Sequence, residues 1–213
     1  MRYAILSDIH GKLRPLEAAL ADARQLGAEI IISLGDVGSD ACFDVLRSVE
    51  AVGVFGNWEV SRWRDLSTAN QQFVLSMTPM VAGDDFLAAH AAPWWPEGLS
   101  SVVDFMEYML TSGVKWRTLF PYMDENEDAR WQALAELENR DKQVLFHGHT
   151  HRREVWRIGP TGRMIRLSKR GIVLDARARY LVGVGSLSRP EGSAPPGYAL
   201  FDDVARTIEL RDV

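Results

Sequence analysis

The chain contains 213 residues, of which 46% are hydrophobic and 25% charged, a composition typical of a soluble globular protein rather than of a disordered chain or a coiled coil. Its 29 acidic and 24 basic residues leave a formal charge of -5, which argues against bulk electrostatic binding of nucleic acid. The single cysteine excludes an internal disulfide framework and a cysteine-rich zinc site, so we expect a reducing, cytoplasmic setting.

The length favours one domain over 1–213, and we expect neither a signal peptide nor a membrane-spanning segment. The first half alternates short apolar runs with helical patterns, an order that predicts right-handed crossovers and a mainly parallel sheet. The elements predicted there are, in chain order, a strand at 3–6, a helix at 12–26, a strand at 29–34, a helix at 41–49 capped by Asp40, and a strand at 52–55.

A further strand is predicted at 85–89, followed at about 91–130 by a segment without a clear strand pattern. We interpret this segment as a helical insertion or lid over the main sheet. The strand pattern resumes at 143–146. The last third then changes to period-two runs, which favour hairpins and an antiparallel or mixed second sheet. Those strands are predicted at 154–158, 163–167, 171–174, 180–184, 198–201 and 207–210.

Polar clusters follow five of the apolar runs, at the point where each predicted strand ends. Because ligands bind at the carboxyl ends of the strands in an open α/β sheet, strands lying side by side would bring all five clusters to one edge. The side chains in these clusters that could bind a metal are Asp8, His10, Asp36, Asn57, His90, His149 and His151.

Imidazole and carboxylate ligands together favour manganese, iron, zinc or nickel over calcium or magnesium. Seven ligands are too many for one tetrahedral zinc but suit two adjacent ions that share a bridging carboxylate. Each cluster alone has a purely structural interpretation: Gly35-Asp36 fits an ordinary turn, and His90 fits a buried core histidine. Their recurrence at successive strand ends favours the metal site, and His147 is interpreted as structural.

In this order the motifs resemble those of the calcineurin-like metallophosphoesterases, and in particular the small prokaryotic phosphodiesterase-like branch. Gly185-Ser186, followed by Arg189-Pro190, is similar to the terminal signature of those members. Only the segment at about 91–130 lies outside a recognised motif. The segments that carry the resemblance are Asp8-Ile9-His10, Gly35-Asp36, Gly56-Asn57-Trp58-Glu59, His90 and Gly148-His149-Thr150-His151.

The resemblance implies an α/β fold, a four-layer α-β-β-α sandwich with two central mixed β-sheets. It implies two divalent transition-metal ions as cofactors, with manganese favoured and iron, zinc, nickel or cobalt as alternatives. Catalytic roles fall to Asp36, Asn57 and His90. The implied ligand sets are Asp8, His10 and His151 for one ion and Asn57, His90 and His149 for the other, with Asp36 as the bridge.

One position departs from the family pattern. Trp58 stands where many members carry a histidine that protonates the leaving group, and an indole cannot act as an acid. Loss of general-acid catalysis, typically worth ~10²–10⁴-fold, should slow alkoxide leaving groups most and phenolic or phosphate leaving groups least. We predict that Trp58 contacts substrate instead. Arg152 and Arg153 directly follow the last ligand and are also predicted to contact substrate, since guanidinium suits a bidentate contact with phosphate.

The function implied is hydrolysis of P–O bonds by a hydroxide that bridges two metal ions, most simply in a phosphodiester or in a nucleotide or dinucleoside polyphosphate. A phosphomonoesterase acting on small metabolites or phosphoproteins is the enzymatic alternative. A non-catalytic protein-binding scaffold on the same fold, as in a retromer subunit of this superfamily, is the alternative of another class, although a scaffold needs no full ligand set. The expected partner is a small phosphorylated molecule such as a nucleotide, without membrane or nucleic acid, and the oligomeric state stays open.

Overall fold

The described residues, 1–190 and 194–213 of this computed structural model, form two six-stranded mixed β-sheets and seven α-helices. The strands are β1 Arg2–Leu6, β2 Ile30–Ser33, β3 Val52–Gly53, β4 Met80–Ala82, β5 Phe86–Ala89, β6 Val144–His147, β7 Arg153–Ile158, β8 Met164–Leu167, β9 Gly171–Val173, β10 Arg179–Val184, β11 Gly197–Asp202 and β12 Thr207–Asp212. The helices are α1 Leu13–Gln25, α2 Asp40–Ser48, α3 Asn57–Arg62, α4 Thr68–Ser76, α5 Val102–Ser112, α6 Trp116–Leu119 and α7 Glu127–Asn139, with a 3₁₀ turn at Trp63–Asp65.

The strand order is β3-β2-β1-β11-β12-β9 in the first sheet and β4-β5-β6-β10-β7-β8 in the second. Strands β1 to β3 pair in parallel, as do β5, β6 and β10, whereas the other neighbours pair antiparallel. The strands of the last third therefore do not form a separate sheet, contrary to the sequence-based expectation. They complete both sheets, because β11 covers the open backbone edge of β1 while β10 covers that of β6.

Three apolar clusters separate four layers and confirm the α-β-β-α sandwich. Strand β1 is apolar on both faces: Ile5 belongs to the cluster between the two sheets, while Leu6 packs against the helices outside the first sheet. Between the sheets, the ring of Phe86 lies 5.1 Å from that of Tyr3 and 5.6 Å from that of Phe201. The third cluster joins the outer face of the second sheet to α7.

Several element boundaries differ from the predicted ones. Helix α2 begins at Asp40 itself, and its N-cap is Ser39, whose hydroxyl accepts a hydrogen bond from the Cys42 N–H at 3.4 Å. The Asp40 carboxylate instead accepts from the Ser67 hydroxyl at 2.8 Å. Strand β3 ends early because Val54 makes only an isolated bridge. The segment at about 91–130 holds α5, α6 and the start of α7, which continues well beyond it.

Among the described residues, no helix combines the length and the apolar character that crossing a bilayer would require. The longest helices, α1 and α7, have 13 residues each. Both are shorter than the ~20 residues that a bilayer core demands.

Candidate metal centre

The seven predicted ligands meet at one end of the sandwich. The sequence-based expectation was that they share the edge of one sheet, but the structure shows that they come from both sheets. The loops after β1 and β2 and the start of α3 supply four of them from the first sheet. The loops after β5 and β6 supply the rest from the second. The set therefore assembles only because the sheets pack face to face with their parallel strands ending on the same side. Contacts of 3.1–3.9 Å link its members, Asp8, His10, Asp36, Asn57, His90, His149 and His151.

Asp8, His10 and His151 form the first group. The Nε2 atom of His151 lies 3.3 Å from the Nε2 of His10 and 3.3 Å from the Oδ1 of Asp8. The Nδ1 of His151 lies 2.9 Å from the backbone carbonyl oxygen of Arg189. Because a carbonyl only accepts hydrogen bonds, the proton of the neutral ring sits on Nδ1 and the Nε2 lone pair points at the group.

His90 is the centre of the second group. Its Nε2 lies 3.1 Å from the Oδ1 of Asn57 and 3.2 Å from the Nδ1 of His149. Its Nδ1 lies 2.7 Å from the carbonyl oxygen of Leu34, which fixes the tautomer in the same way. The Oδ1 of Asp36 lies 3.6 Å from the Nε2 of His90.

Asp36 lies between the two groups. Its Oδ1 faces His90, while its Oδ2 lies 3.8 Å from the Nε2 of His10. The carboxylate thus presents one oxygen to each group. Asp8 also has an oxygen close to Asp36 and His90, so the two carboxylates together form the floor shared by both groups.

The donor set fits divalent transition-metal ions. Two nitrogens that bind the same tetrahedral ion at ~2.1 Å lie about 3.4 Å apart, which is close to the observed nitrogen separations of 3.2 and 3.3 Å. The Oδ1 of Asp8 and the Nε2 of His149 are buried and make no hydrogen bond in the described structure. A cation would pair with the unpartnered lone pair of the Asp8 oxygen, since buried polar atoms without partners are costly.

The electrostatics of the cluster favour a bound cation. Burial, together with the nearby Asp8, raises the pKa of Asp36 to about 7. Burial also lowers the pKa of His149 to about 3 and that of His10 to about 4, so both imidazoles are neutral at pH 7. Neutral imidazoles with available lone pairs beside buried carboxylates are what metal binding requires.

Five of the seven residues adopt left-handed backbone conformations. The φ angles are 54° for Asp8, 43° for His10, 54° for Asp36, 64° for His149 and 58° for His151. Residues other than glycine rarely adopt such angles, and each costs of order 1–3 kcal/mol. This concentration at one place sets the loops apart from the rest of the chain.

Two glycines allow the loops to approach the cluster. A Cβ at Gly148 would fall 1.8 Å from the Oγ of Ser7, and one at Gly56 would fall 2.4 Å from the Oδ1 of Asp36. Any larger residue at either position would displace the ligand loops. The glycines before Asn57 and His149 therefore follow from close packing around the ligands.

Glu59 was not identified as a site residue from the sequence. It is fully buried on α3, and its carboxylate accepts backbone hydrogen bonds from Asp36, Val37 and Gly56, each at 2.8 Å. Burial and the neighbouring Asp36 raise its pKa to about 7. Glu59 ties the loop that carries Asp36 to the start of the helix that carries Asn57. The available signal was an acidic residue three positions after a helix-capping residue.

Trp58 lies next to the ligand Asn57 at the start of α3. Its indole is half-buried and packs in the apolar cluster of the helices, 6.4 Å from the ring of Phe43 on α2. Its backbone N–H donates to the Oδ1 of Asp36 at 2.8 Å. The predicted contact of the indole with substrate stays a prediction.

The two predicted arginines differ in their environment. The Arg153 side chain is 9% exposed and donates to the carbonyl oxygens of Arg211 at 2.6 Å and Pro195 at 2.9 Å, and also to the Asp212 carboxylate. Its guanidinium is thus occupied in joining β7 to the C-terminal segment. Arg152, in contrast, is partly exposed beside His151, with its Nε 2.8 Å from the Oδ2 of Asp124.

The segment at about 91–130 places two aromatic rings beside His149 that were not identified from the sequence. The ring of Tyr122 lies 4.4 Å from the His149 ring, and that of Trp116 lies 5.4 Å from it. The Arg117 guanidinium lies over both aromatic rings, 5.0 Å from that of Tyr122 and 5.5 Å from that of Trp116. No periodicity or spacing in the sequence relates these residues to His149.

A family profile described as the calcineurin-like phosphoesterase superfamily domain matches residues 1–205. The chain is 23% identical to an uncharacterised protein of Methanocaldococcus jannaschii, over 97% of this chain and 85% of that protein. Its fold resembles that of a metallophosphoesterase from Sphaerobacter thermophilus, with a TM-score of 0.69 and 23% identity over 98% of this chain and 87% of the other. It also resembles an archaeal phosphodiesterase, with a TM-score of 0.53 and 14% identity over 98% of both chains.

Proposed function

The chain belongs to the calcineurin-like phosphoesterase superfamily and is a metal-dependent phosphoesterase, and from that premise we propose that it is a dinuclear enzyme that cleaves phosphodiester or phosphoanhydride bonds. The observation that carries this proposal is the position of Asp36. One carboxylate oxygen faces His90 and the other faces His10, so one anion serves two groups of ligands. A single-metal site would need neither the shared carboxylate nor so many ligands.

When bound, paired divalent ions supply a nucleophile from water at neutral pH and neutralise charge on the phosphoryl group. The ligands would be Asp8, His10 and His151 for one ion and Asn57, His90 and His149 for the other, with Asp36 shared. The protein's own contribution is rigid placement. The carbonyl oxygens of Leu34 and Arg189 orient His90 and His151 through Nδ1, and the Trp58 N–H holds one oxygen of Asp36.

Trp58 and Arg152, which lie next to the metal ligands in the sequence, determine which leaving groups the enzyme can release. Trp58 provides no general acid, because an indole does not protonate a leaving group. Arg152 stands beside His151 and would contact a phosphate oxygen. We therefore propose a preference for substrates whose leaving group departs without protonation, namely aryl diesters and phosphoanhydrides over alkyl monoesters.

Two measurements test the proposal. Metal analysis after loading with manganese should give close to two ions per chain, and one ion or fewer would contradict the dinuclear centre. The manganese-loaded protein should hydrolyse bis-p-nitrophenyl phosphate with a higher kcat/KM than p-nitrophenyl phosphate. A clear preference for the monoester would refute the assignment to diesters and anhydrides and favour the phosphomonoesterase instead.

A further inference from the structure

A cavity of about 360 Å³ lies at the end of the second sheet opposite to the metal centre. Asp85, Gln143 and Arg179 line it where the parallel strands β5, β6 and β10 begin. The metal ligands follow the other ends of β5 and β6, and strands of four residues span roughly 13 Å. The cavity is therefore separate from the metal centre, and its volume is in the ~300–1,000 Å³ range of small-molecule sites.

The lining of the cavity carries an excess of positive charge. Four cations face two carboxylates, which leaves two positive charges uncompensated. Asp175 pairs with Arg177 at 3.4 Å but also with Arg157 at 2.9 Å outside the cavity, so this neighbouring pair does not change the balance. The remaining lining residues are one glutamine and two alanines. The charged residues that line the cavity are Lys142, Arg177, Arg179, Arg206, Asp85 and Asp141.

Hydrogen bonds hold Arg206 and Asp85 in defined positions at the cavity. The guanidinium of Arg206 donates to the Oδ2 of Asp85 at 2.8 Å and to the side-chain oxygen of Gln143. The Gln143 amide nitrogen in turn donates to the carbonyl oxygens of Asp175 at 2.7 Å and Ala178 at 2.9 Å. These bonds join the turn between β11 and β12 to the starts of β6 and β10, so a ligand would meet preorganised groups.

Arg179 has no partner for its charge in the described part of the chain. Its neighbour Tyr180 packs between the sheets, so the Arg179 side chain lies on the outer face of the second sheet. The Nε atom is buried without a hydrogen bond, and no carboxylate of the described residues pairs with the guanidinium. A buried donor without an acceptor is costly, because its lost hydration is not compensated. An anion in the cavity would provide the acceptor.

A small anion that carries phosphate groups fits this lining. Guanidinium groups bind phosphate oxygens through paired, charge-assisted hydrogen bonds, and Lys142 adds a point charge that only the neutral carbonyl of Asp84 contacts, at 2.7 Å. The described lining residues offer no aromatic ring on which a nucleobase could stack and no long aliphatic side chain for an acyl group. The excess of two positive charges matches an anion that has more than one negative charge.

We propose that this cavity is a second ligand site of the protein, which binds a small, strongly hydrophilic diphosphate away from the metal centre. Inorganic pyrophosphate is the simplest molecule of this class. The site requires neither a bound metal ion nor the proposed reaction, because its charged groups lie at the opposite ends of the strands. A ligand that binds the folded chain there also stabilises it by mass action.

The test is isothermal titration calorimetry of inorganic pyrophosphate with the metal-free protein at low ionic strength, since manganese would itself bind the probe. Arg179→Gln should weaken pyrophosphate binding by at least about tenfold, equivalent to 1.4 kcal/mol, through loss of a charge-assisted hydrogen bond. Arg177→Gln, at a side chain that is 78% exposed, leaves the core intact and should weaken binding by about two- to fivefold. The matched control is Arg163→Gln, an exposed arginine outside the cavity, which should bind pyrophosphate like the wild type.

No measurable binding to the wild type, or equal affinities of all three variants, would overturn the proposal. If the melting curve shows that Arg179→Gln does not fold, the comparison of Arg177→Gln with Arg163→Gln decides. Tighter binding of a short single-stranded RNA than of pyrophosphate would also overturn it, because that result would indicate a nucleic-acid surface.

Catalysis provides an independent check that the two sites are separate. Manganese-loaded Arg179→Gln should hydrolyse bis-p-nitrophenyl phosphate like the wild type, and loss of turnover in the folded variant would overturn the separation of the sites. Absence of turnover in the wild type would refute the proposed function and leave the pyrophosphate titration as the test of the cavity.

Discussion

Glu59 gives the sharpest test of how the ligand loops are held. Replacement by alanine leaves three buried backbone N–H groups, those of Asp36, Val37 and Gly56, without acceptors. An unsatisfied buried donor costs about 1–3 kcal/mol. Removing the buried carboxylate offsets part of this loss, because burial of a charged group is itself unfavourable. We therefore expect Glu59→Ala to lower the free energy of unfolding by about 3–5 kcal/mol, a large part of the ~5–15 kcal/mol of a typical domain.

Glu59→Gln should have a smaller effect for a definite geometric reason. The Oε2 of Glu59 accepts from both Asp36 and Gly56, whereas Oε1 accepts only from Val37. A glutamine whose oxygen takes the Oε2 position keeps two of the hydrogen bonds. Its NH₂ group then faces the Val37 N–H, and because both groups are donors this third bond is lost. The expected loss is about 1–3 kcal/mol, the cost of one unsatisfied donor.

Urea unfolding of the metal-free proteins, followed by circular dichroism, measures both losses, and metal analysis after manganese loading measures ligand placement. Both variants should bind less manganese than the wild type, with alanine the lower. Asp104→Asn is the matched control, because Asp104 is the acidic N3 residue in the capping box of α5. It should cost about 0.5–2 kcal/mol and leave manganese binding unchanged. A Glu59→Ala protein with wild-type stability and full manganese content would refute the reasoning.

Four further changes probe other parts of the structure. Asp36→Asn removes the shared anion, so turnover should be lost and manganese content should fall towards one ion per chain; retained activity in a bis-p-nitrophenyl phosphate assay would contradict the bridge. Trp58→His should raise turnover of alkyl monoesters relative to aryl diesters, and should lower the melting temperature because the packing on Phe43 is lost. Arg153→Gln should lower the free energy of unfolding by about 2–4 kcal/mol with KM unchanged, since the side chain binds two carbonyls and a carboxylate. A hydrogen bond from an arginine of β12 lowers the pKa of Asp22 below its ordinary value of 3.8. The ion pair therefore stabilises the folded protein at pH values above 3.8, and this stabilisation is lost as the pH falls through the lowered pKa. Asp22→Asn should accordingly reduce the loss of stability that acid causes in a stability–pH curve.

The sequence predicted the ligand set because its signals are local. Each ligand follows a short apolar run, and the carboxyl end of a buried strand is where a sheet presents polar groups to a ligand. Asp8 after β1 and His90 after β5 could be identified in this way without knowing which sheet holds each strand. The division of strands between two sheets needed long-range pairing information. Neither β10 nor β11 differs in pattern from its neighbours, yet they complete different sheets.

The roles of Trp58 and Arg153 depend on packing that local sequence does not encode. Trp58 follows a ligand directly, and its indole packs near Phe43 on another helix. Arg152 and Arg153 are adjacent and chemically alike, yet successive residues at the start of a strand point to opposite sides. One therefore lies beside His151 while the other binds the C-terminal strands. The predicted contacts of both arginines with substrate stay predictions.

The left-handed backbone of the ligands explains why so many hydrogen bonds surround them. Five residues at about 1–3 kcal/mol each store roughly 5–15 kcal/mol of strain, the same order as the stability of a whole domain. The His10 N–H donates to the Asp36 carbonyl at 2.8 Å, and the His149 N–H donates to the Oδ2 of Asp8 at 2.9 Å. Such bonds hold one ligand loop through another, so each loop supports the strained backbone of its neighbour.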